Sequence, residues 1–158
     1  MIKLNRTTEY GLMALRHMSR KSEELTSARE VADTFGLPFE ITAKTLQRLK
    51  DSGLIQSSQG ARGGYTLQRP LQDVTLAEFL SAMEGPQNVV PCSSERNTDP
   101  AHSCEYQSRC DISGVMRDLN ARVLGFLGGI KLSELEANVI PLRSTSANSA
   151  TSEEGALS

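Results

Sequence analysis

Three cysteines in one polar stretch carry the most distinctive chemistry of the sequence. Cys92, Cys104 and Cys110 have the spacing C-x11-C-x5-C, and the 158-residue chain has no other cysteine. Such thiolates can converge on one soft metal centre, and iron–sulfur clusters are held in this way. The sequence contains no CxxC pair, so it does not predict an ordinary zinc knuckle. The pattern favours a metal or iron–sulfur centre; the alternatives are a zinc-binding structural or adaptor protein without a DNA role, and inert unligated thiols.

The two histidines are the only imidazole candidates. His102 lies two residues before Cys104 and is a rival metal ligand, whereas His17 falls within the first predicted helix and is interpreted as structural. A nucleophilic cysteine needs an adjacent base, and neither histidine lies at a position that identifies it as that base. The sequence also contains no HExxH motif and no glycine-rich phosphate loop. We therefore do not expect an enzyme.

The charge of the chain is divided between its two halves. Residues 1–72 contain 11 Lys and Arg against 7 Asp and Glu, a net charge of +4, whereas residues 73–158 contain 6 against 12, a net charge of −6. The first half can therefore approach phosphates. No run of 18 apolar residues and no apolar signal-peptide segment is present, so the sequence predicts a cytoplasmic protein.

The elements that must position these groups are mostly helices. A first helix is expected from Asn5 to about Arg20, and Ser27 with Glu30 fits a capping box for a second helix that ends at Gly36. A third helix is expected from Pro38, in its first turn, to about Ser52. Apolar spacing predicts the buried residues of these three helices. They are Tyr10, Met13, Ala14, Leu15, Met18, Val31, Ala32, Phe35, Ile41, Thr42, Thr45, Leu46 and Leu49.

A glycine-rich hairpin follows the third helix. Two short strands are predicted at 54–57 and 64–67, joined by a flexible tip at 58–63, and Thr75 is expected to cap a helix that ends at Gly85. Helix, turn, helix and hairpin are the order of a winged helix-turn-helix. We therefore predict a mainly α fold, a winged helix-turn-helix with a long C-terminal dimerisation helix.

The third helix has the composition of a recognition helix. Lys44 and Arg48 can reach phosphates or guanine edges, and Glu40, near the helix start, can accept from a cytosine amino group. Arg62 at the hairpin tip can enter a minor groove or pair with a phosphate. Lys3 and Arg6 are further candidates for backbone contacts.

The segments TTEYGLMAL, LPFEITAKTLQRLKDSGLIQSSQGARGGYTL and VTLAEFLSAMEG, followed by cysteines, carry a family resemblance. Over residues 1 to about 137 the chain resembles the Rrf2 family, which includes IscR-like and NsrR-like iron–sulfur regulators. The resemblance implies a homodimer that binds a palindromic operator on double-stranded DNA. It places Glu40, Ala43 and Lys44 where the family reads bases, and Gln59 and Arg62 in the wing.

The resemblance also implies a fourth cluster ligand. Some family members use an acidic residue of the first helix, donated by the partner subunit, and Glu9 occupies that position here. Other members use a histidine shortly after the third cysteine, but this chain has Asp111-Ile112-Ser113 there. The interval between the first two cysteines is longer than the family usually has. An iron–sulfur cluster is expected, with its type, 2Fe–2S or 4Fe–4S, left open.

An apolar stripe marks the helix predicted from Asp111 to about Gly128. Its members recur at spacings of four and three, which is typical of a dimer interface. They are Ile112, Met116, Leu119, Val123 and Phe126, with Val115, Leu124 and Leu127 beside them. The predicted organisation is a winged helix-turn-helix at 1–85, a cysteine loop at 86–110, a dimerisation helix at 111–140 and a disordered tail at 141–158.

Together these expectations describe a sequence-specific transcription regulator, a repressor, whose operator affinity is controlled by an iron–sulfur cluster. The signal would be iron–sulfur status, redox stress or nitric oxide, as the family resemblance implies. A cluster that fixes the cysteine loop and the start of the dimer helix would set the separation of two recognition helices. That separation must match half-sites about 34 Å apart.

Overall fold

The structure, a computed structural model, describes residues 4–21, 24–60, 63–88 and 110–136. It is mainly helical with one two-stranded antiparallel sheet, and it confirms the predicted order of helices and wing. A short 3-10 turn at Leu71–Asp73 was not predicted. The elements are α1 (Arg6–Arg20), α2 (Ala28–Phe35), α3 (Phe39–Asp51), β1 (Ile55–Ser58), β2 (Gly64–Leu67), α4 (Leu76–Glu84), α5 (Ser113–Gly129) and α6 (Leu132–Glu136).

Short polar side chains start three of these helices. Asn5 Oδ1 accepts from the Thr8 N–H at 2.9 Å, and Thr75 Oγ1 accepts from the Glu78 N–H at 3.2 Å. Ser27 Oγ likewise accepts from the Glu30 N–H at 3.1 Å, as predicted. Each bond satisfies an N–H that has no partner within the helix. These caps fix the first residues of α1, α2 and α4.

Two details of the capping predictions are corrected. The Glu30 carboxylate does not complete a capping box, because it contacts Lys21 and His17 of the α1 region. Pro38 lies before α3 as its N-cap, with φ −62° and ψ 122°, rather than within its first turn. The extended ψ places the proline just outside the helix, where its missing N–H still costs nothing.

The buried core joins the predicted faces of α1, α2, α3 and α4. Leu15, Val31, Leu46 and Phe79 are at most 1 % exposed. The prediction of burial is wrong for three residues, because more than a third of the surface of each is exposed. These are Met13, Phe35 and Ile41.

The wing is tied to the segment that precedes α2. Ile55 pairs with Leu67 and Ser58 with Gly64. Thr26 and Tyr65 also exchange two backbone hydrogen bonds of 2.9 Å. A Cβ atom on Gly64 would meet the Thr26 carbonyl oxygen at 3.1 Å, so glycine permits this close approach. The base of the wing and the start of α2 therefore form one unit.

The chain returns to this body after α5. Leu76 N–H donates to the Ile130 carbonyl at 2.8 Å, and Leu132 N–H donates to the Val74 carbonyl at 2.9 Å. Leu132 is buried, so the start of α6 belongs to the core. The predicted turn of helix near 132–137 is present as α6. In the described parts of the chain, no helix is long and apolar enough to cross a membrane.

Candidate nucleic-acid interface

The outer side of α3 is exposed to solvent. Glu40, Lys44 and Gln47 are exposed, and Ala43 beside them is half-buried. The opposite side of the helix is closed by its threonines and leucines. Thr42 Oγ1 donates to the Pro38 carbonyl at 3.0 Å and Thr45 Oγ1 to the Ile41 carbonyl at 2.8 Å. The predicted base-reading residues Glu40, Ala43 and Lys44 thus share the side that a ligand can reach.

A left-handed glycine sets the angle between α2 and α3. Gly36 has φ 64° and ψ 35°, a conformation that glycine adopts without steric cost. The following residue, Leu37, donates its N–H to the Ala32 carbonyl at 2.8 Å. This is a helix ending of the Schellman type, and it confirms the prediction that the second helix ends at Gly36. It redirects the chain within two residues and presents the first turn of α3 to solvent.

Arg48 has a structural contact that the sequence did not indicate. Its Nη1 donates to the Met83 carbonyl at 2.7 Å, so the guanidinium links α3 to the last turn of α4. Cations are favourable near a helix C-terminus, where the carbonyls lack helical partners. A DNA contact by Arg48 stays a prediction.

A polar cluster around Glu84 joins the start of α1 to the end of α4. Glu84 accepts from the Asn5 N–H at 3.1 Å and from Asn5 Nδ2 at 2.9 Å, and it also accepts from the Thr8 hydroxyl. The Thr8 hydroxyl lowers the pKa of the Glu84 carboxyl most, followed by the Asn5 N–H, with a smaller effect from the charge of Arg48. The first turn of α1 is therefore held against the end of α4.

A cluster around Glu30, the Glu30 cluster, fixes α1 against α2. Lys21 Nζ and His17 Nε2 each lie 2.7 Å from Glu30 Oε1. The bond from Lys21 lowers the pKa of the Glu30 carboxyl most, followed by the bond from His17. The His17 and Phe35 rings also meet in a T-shaped arrangement, with a centroid distance of 5.8 Å. His17 is thus part of a helix–helix contact, which agrees with its interpretation as structural.

The wing is described up to its tip. Gln59 follows β1 and is exposed, and the Gly63 N–H donates to the Gly60 carbonyl at 3.0 Å. Gly60 has φ 142°, which is accessible to glycine alone among the common residues. Arg62 and Lys3 lie outside the described residues. The predicted DNA contacts of Gln59, Arg62 and Lys3 stay predictions.

One cysteine falls within the described structure. Cys110 is a half-buried free thiol just before α5, and Glu9 is an exposed carboxylate in the first turn of α1. Cys92, Cys104 and His102 lie outside the described residues. Within the described ranges, no three His, Cys, Asp or Glu side chains come together as a metal site.

A family model described as "Rrf2: Iron-dependent Transcriptional regulator" matches residues 4–138. The chain belongs to the Rrf2 family. It is therefore a DNA-binding transcriptional regulator and not an enzyme. The match covers every described element, including α5 and α6.

Curated relatives of this Rrf2 protein have regulator names. The chain is 27 % identical over 138 residues to "HTH-type transcriptional regulator IscR" of Xenorhabdus nematophila, covering 87 % of this chain and 80 % of that protein. It is 25 % identical over 138 residues to "HTH-type transcriptional repressor NsrR" of Streptomyces coelicolor, covering 86 % and 89 %. Both matches span most of each chain, which supports the same overall organisation.

A solved structure supports the fold. CymR, the global cysteine regulator of B. subtilis, superposes with a TM-score of 0.64 at 23 % identity, covering 89 % of this chain and all of that one. At this identity the likeness establishes only the fold. The winged-helix architecture of the Rrf2 protein is thus confirmed.

Sequence reasoning missed the residues that hold this Rrf2 fold in position. The contacts of Arg48 with Met83 and of Asn5 with Glu84 join residues 35 and 79 positions apart. One signal was present in the sequence, because Asn5 and Thr8 have the spacing of an N-cap and its N3 residue. Nothing local to Glu84 indicated its partners.

Proposed function

We propose that this Rrf2 protein is a homodimeric repressor that binds a palindromic operator and is controlled by an iron–sulfur cluster. The observation that supports operator binding is the exposed outer side of α3, with Glu40 and Lys44 near its start and the wing beside it. A recognition helix reads base edges with its N-terminal residues. Lys44 would bind a phosphate or guanine, and Glu40 would accept from a cytosine amino group.

The dimer proposal rests on α5. Ile112, Val115, Leu119 and Phe126 are all more than 40 % exposed, although they are large apolar side chains. Aligned apolar side chains of this kind are the usual surface for a second helix. Two copies that pair through α5 would present two α3 helices to one duplex. A symmetric dimer of this kind requires a palindromic operator.

The cluster proposal rests on the donor set. Cys110 and the two cysteines outside the described residues supply thiolates, and the exposed Glu9 carboxylate can be offered to a partner subunit. Thiolates are the ligands that iron–sulfur clusters use, and a bound cluster would supply sensitivity to redox change or nitric oxide. The match to an iron-dependent regulator family points in the same direction.

The proposed switch is mechanical. Cys110 lies two residues before Ile112, the N-cap of α5, so a ligand held by Cys110 would act directly on the start of that helix. If α5 sets the distance between two α3 helices, ordering its first turn changes how well they match the half-sites. Apo and cluster-loaded protein should therefore differ in operator affinity.

The operator can be identified by selection from a random duplex library, followed by titration at several salt concentrations. Lys44→Ala should weaken binding by roughly tenfold or more. It should also lower the slope of log binding constant against log salt concentration by about one, the loss of one phosphate contact. Arg117→Ala, an exposed arginine on α5, is the matched control and should bind normally. If the unmodified protein selects no sequence, operator binding is rejected.

The cluster can be tested by anaerobic purification, absorption spectroscopy and native mass measurement. A brown protein that contains iron and sulfide supports the proposal, and Cys110→Ala should lose the cluster while remaining folded. A colourless protein that contains zinc would instead support the structural alternative. Equal operator affinity of the apo and cluster-loaded forms would reject the switch.

A further inference from the structure

Phe39 is an exposed aromatic side chain at the first position of α3. It is 41 % exposed, and it belongs neither to the buried core nor to the half-buried side chains that pack against the core. A single exposed apolar residue is common on protein surfaces. This one, however, precedes Glu40 and lies one helical turn before Ala43, on the same side of the helix. Phe39 is thus at the edge of the proposed DNA surface.

Arg29 holds the Phe39 ring from the neighbouring helix. Its guanidinium carbon lies 4.3 Å from the ring centroid, and Arg29 is in the first turn of α2. The pair therefore bridges the two helices of the helix-turn-helix. A guanidinium stacks through its planar face, while its N–H groups point outward in the plane. Arg29 can therefore stack on Phe39 and bind a phosphate at the same time.

We propose that Phe39 reads thymine, by contact with the C5-methyl group of one thymine in each half-site. Thymine is the only base that presents a methyl group in the major groove, and apolar side chains including Phe recognise it. Arg29 is a positioning residue: it fixes the ring and binds an adjacent phosphate. This inference rests on the proposed operator binding, and it adds a specificity determinant that Glu40, Ala43 and Lys44 do not supply.

Ile41 is a weaker candidate for the same role. It is as exposed as Phe39, but it lies on the flank of α3 that also carries Arg48, which contacts Met83 of α4. Phe39 lies on the other flank of α3, which also carries Ala43 and is next to α2. The observed contact with Arg29 also fixes its ring, and a fixed ring loses less conformational entropy when a base is bound.

The test replaces each thymine of the selected operator by deoxyuridine, which lacks only the methyl group. At one position in each half-site, this change should weaken binding of the unmodified protein about fourfold, the effect of burying one methyl group. Phe39→Ala should bind the thymine operator more weakly and should be insensitive to deoxyuridine at that position. Phe35→Ala is the matched control, because Phe35 is similarly exposed but contacts His17. It should keep the full deoxyuridine effect.

Two substitutions of Arg29 separate its roles. Arg29→Lys keeps the charge but not the planar face, so it should preserve the salt dependence and reduce the deoxyuridine effect. Arg29→Ala should also lower the slope of log binding constant against log salt concentration by about one, the loss of one phosphate contact. A deoxyuridine effect that both Arg29 variants leave unchanged would overturn the positioning role.

The failures of the two proposals are distinguishable. If the unmodified protein selects no sequence, operator binding fails and this inference fails with it. If it selects a defined operator but Phe39→Ala shows the same deoxyuridine profile as the unmodified protein, only the thymine contact fails. Circular dichroism should show that Phe39→Ala is folded, and Phe39→Leu, which keeps an apolar side chain, should retain part of the deoxyuridine effect.

Discussion

Helices α4 and α5 carry similar apolar side chains but bury them very differently. In α4, Phe79, Leu80 and Met83 are 0–2 % exposed, because α1, α3 and one side of α5 pack against this helix. In α5, Val115 and Phe126 are both 65 % exposed, and Asn120 is the most buried residue of the helix. The difference shows that apolar spacing identifies a surface to be covered but does not say what covers it. For α4 the cover is the same chain; for α5 we propose a second copy.

The largest expected effect is in the core. Phe79→Ala should lower the free energy of unfolding by about 3–5 kcal/mol, the usual cost of removing a buried aromatic ring. Urea unfolding at several protein concentrations measures the loss, which should not vary with concentration. Phe126→Ala is the comparison, and its smaller loss should vary with concentration because it acts through association. Equal and concentration-independent losses would remove the distinction between the two helices.

The next effect concerns association through α5. Phe126→Asp places a charge in the exposed apolar stripe and should weaken the dimer by about 2 kcal/mol or more, the range for residues that dominate an interface. Sedimentation equilibrium measures the dissociation constant, and circular dichroism checks that the fold is kept. Arg117→Asp, a charge change on another side of α5, should leave the dimer intact. An unaltered dimer in Phe126→Asp would place the interface elsewhere.

A smaller effect separates a glycine of the wing from a glycine of α5. Gly64→Ala should destabilise the protein by about 1–3 kcal/mol, because the new Cβ would lie 3.1 Å from the Thr26 carbonyl oxygen and 3.2 Å from Leu25 Cβ. Gly125→Ala in α5 meets nothing within 4 Å and should stabilise the helix by about 0.5–1 kcal/mol. Thermal unfolding of both variants measures the contrast. A stable Gly64→Ala protein would mean that the wing can shift from Thr26 without cost.

The smallest effect concerns ion pairs. Glu30→Gln should cost less than about 1 kcal/mol at neutral pH, since such pairs are screened by solvent. The Lys21 and His17 contacts hold the pKa of Glu30 below 4.5, so the contribution of the ionised carboxylate is present above that value and is lost as the pH falls through the lowered pKa. The stability difference from the unmodified protein should therefore close at acid pH.

The matched variant for that measurement is Asp118→Asn in α5. Asp118 Oδ2 lies 2.8 Å from Arg122 Nε, but both side chains are more than half exposed. Its effect should be smaller than that of Glu30→Gln at neutral pH. If Asp118→Asn costs more than Glu30→Gln, then the Glu30 cluster does not hold α1 against α2 as we infer.

Part of the candidate site could be predicted because its causes are local. Glu40 and Lys44 are exposed on the outer side of α3, as the helical periodicity indicated. The contact between Arg29 and Phe39 could not be predicted in the same way, because it depends on the angle between α2 and α3. The exposed rings of Phe35 and Phe39 show the same limit: apolar type predicts burial, but neither ring reaches the core.

The sequence by itself determined the order of the helices and strands and several of their ends. Ser27 and Thr75 as caps and Gly36 as a helix ending act within a few residues, so their hydrogen bonds and backbone angles depend little on the rest of the chain. Only the tertiary structure decided that Arg48 binds the end of α4 and that Glu84 holds the start of α1. Those bonds join distant segments, and their partners are fixed only once the buried side chains have packed and set the positions of the helices.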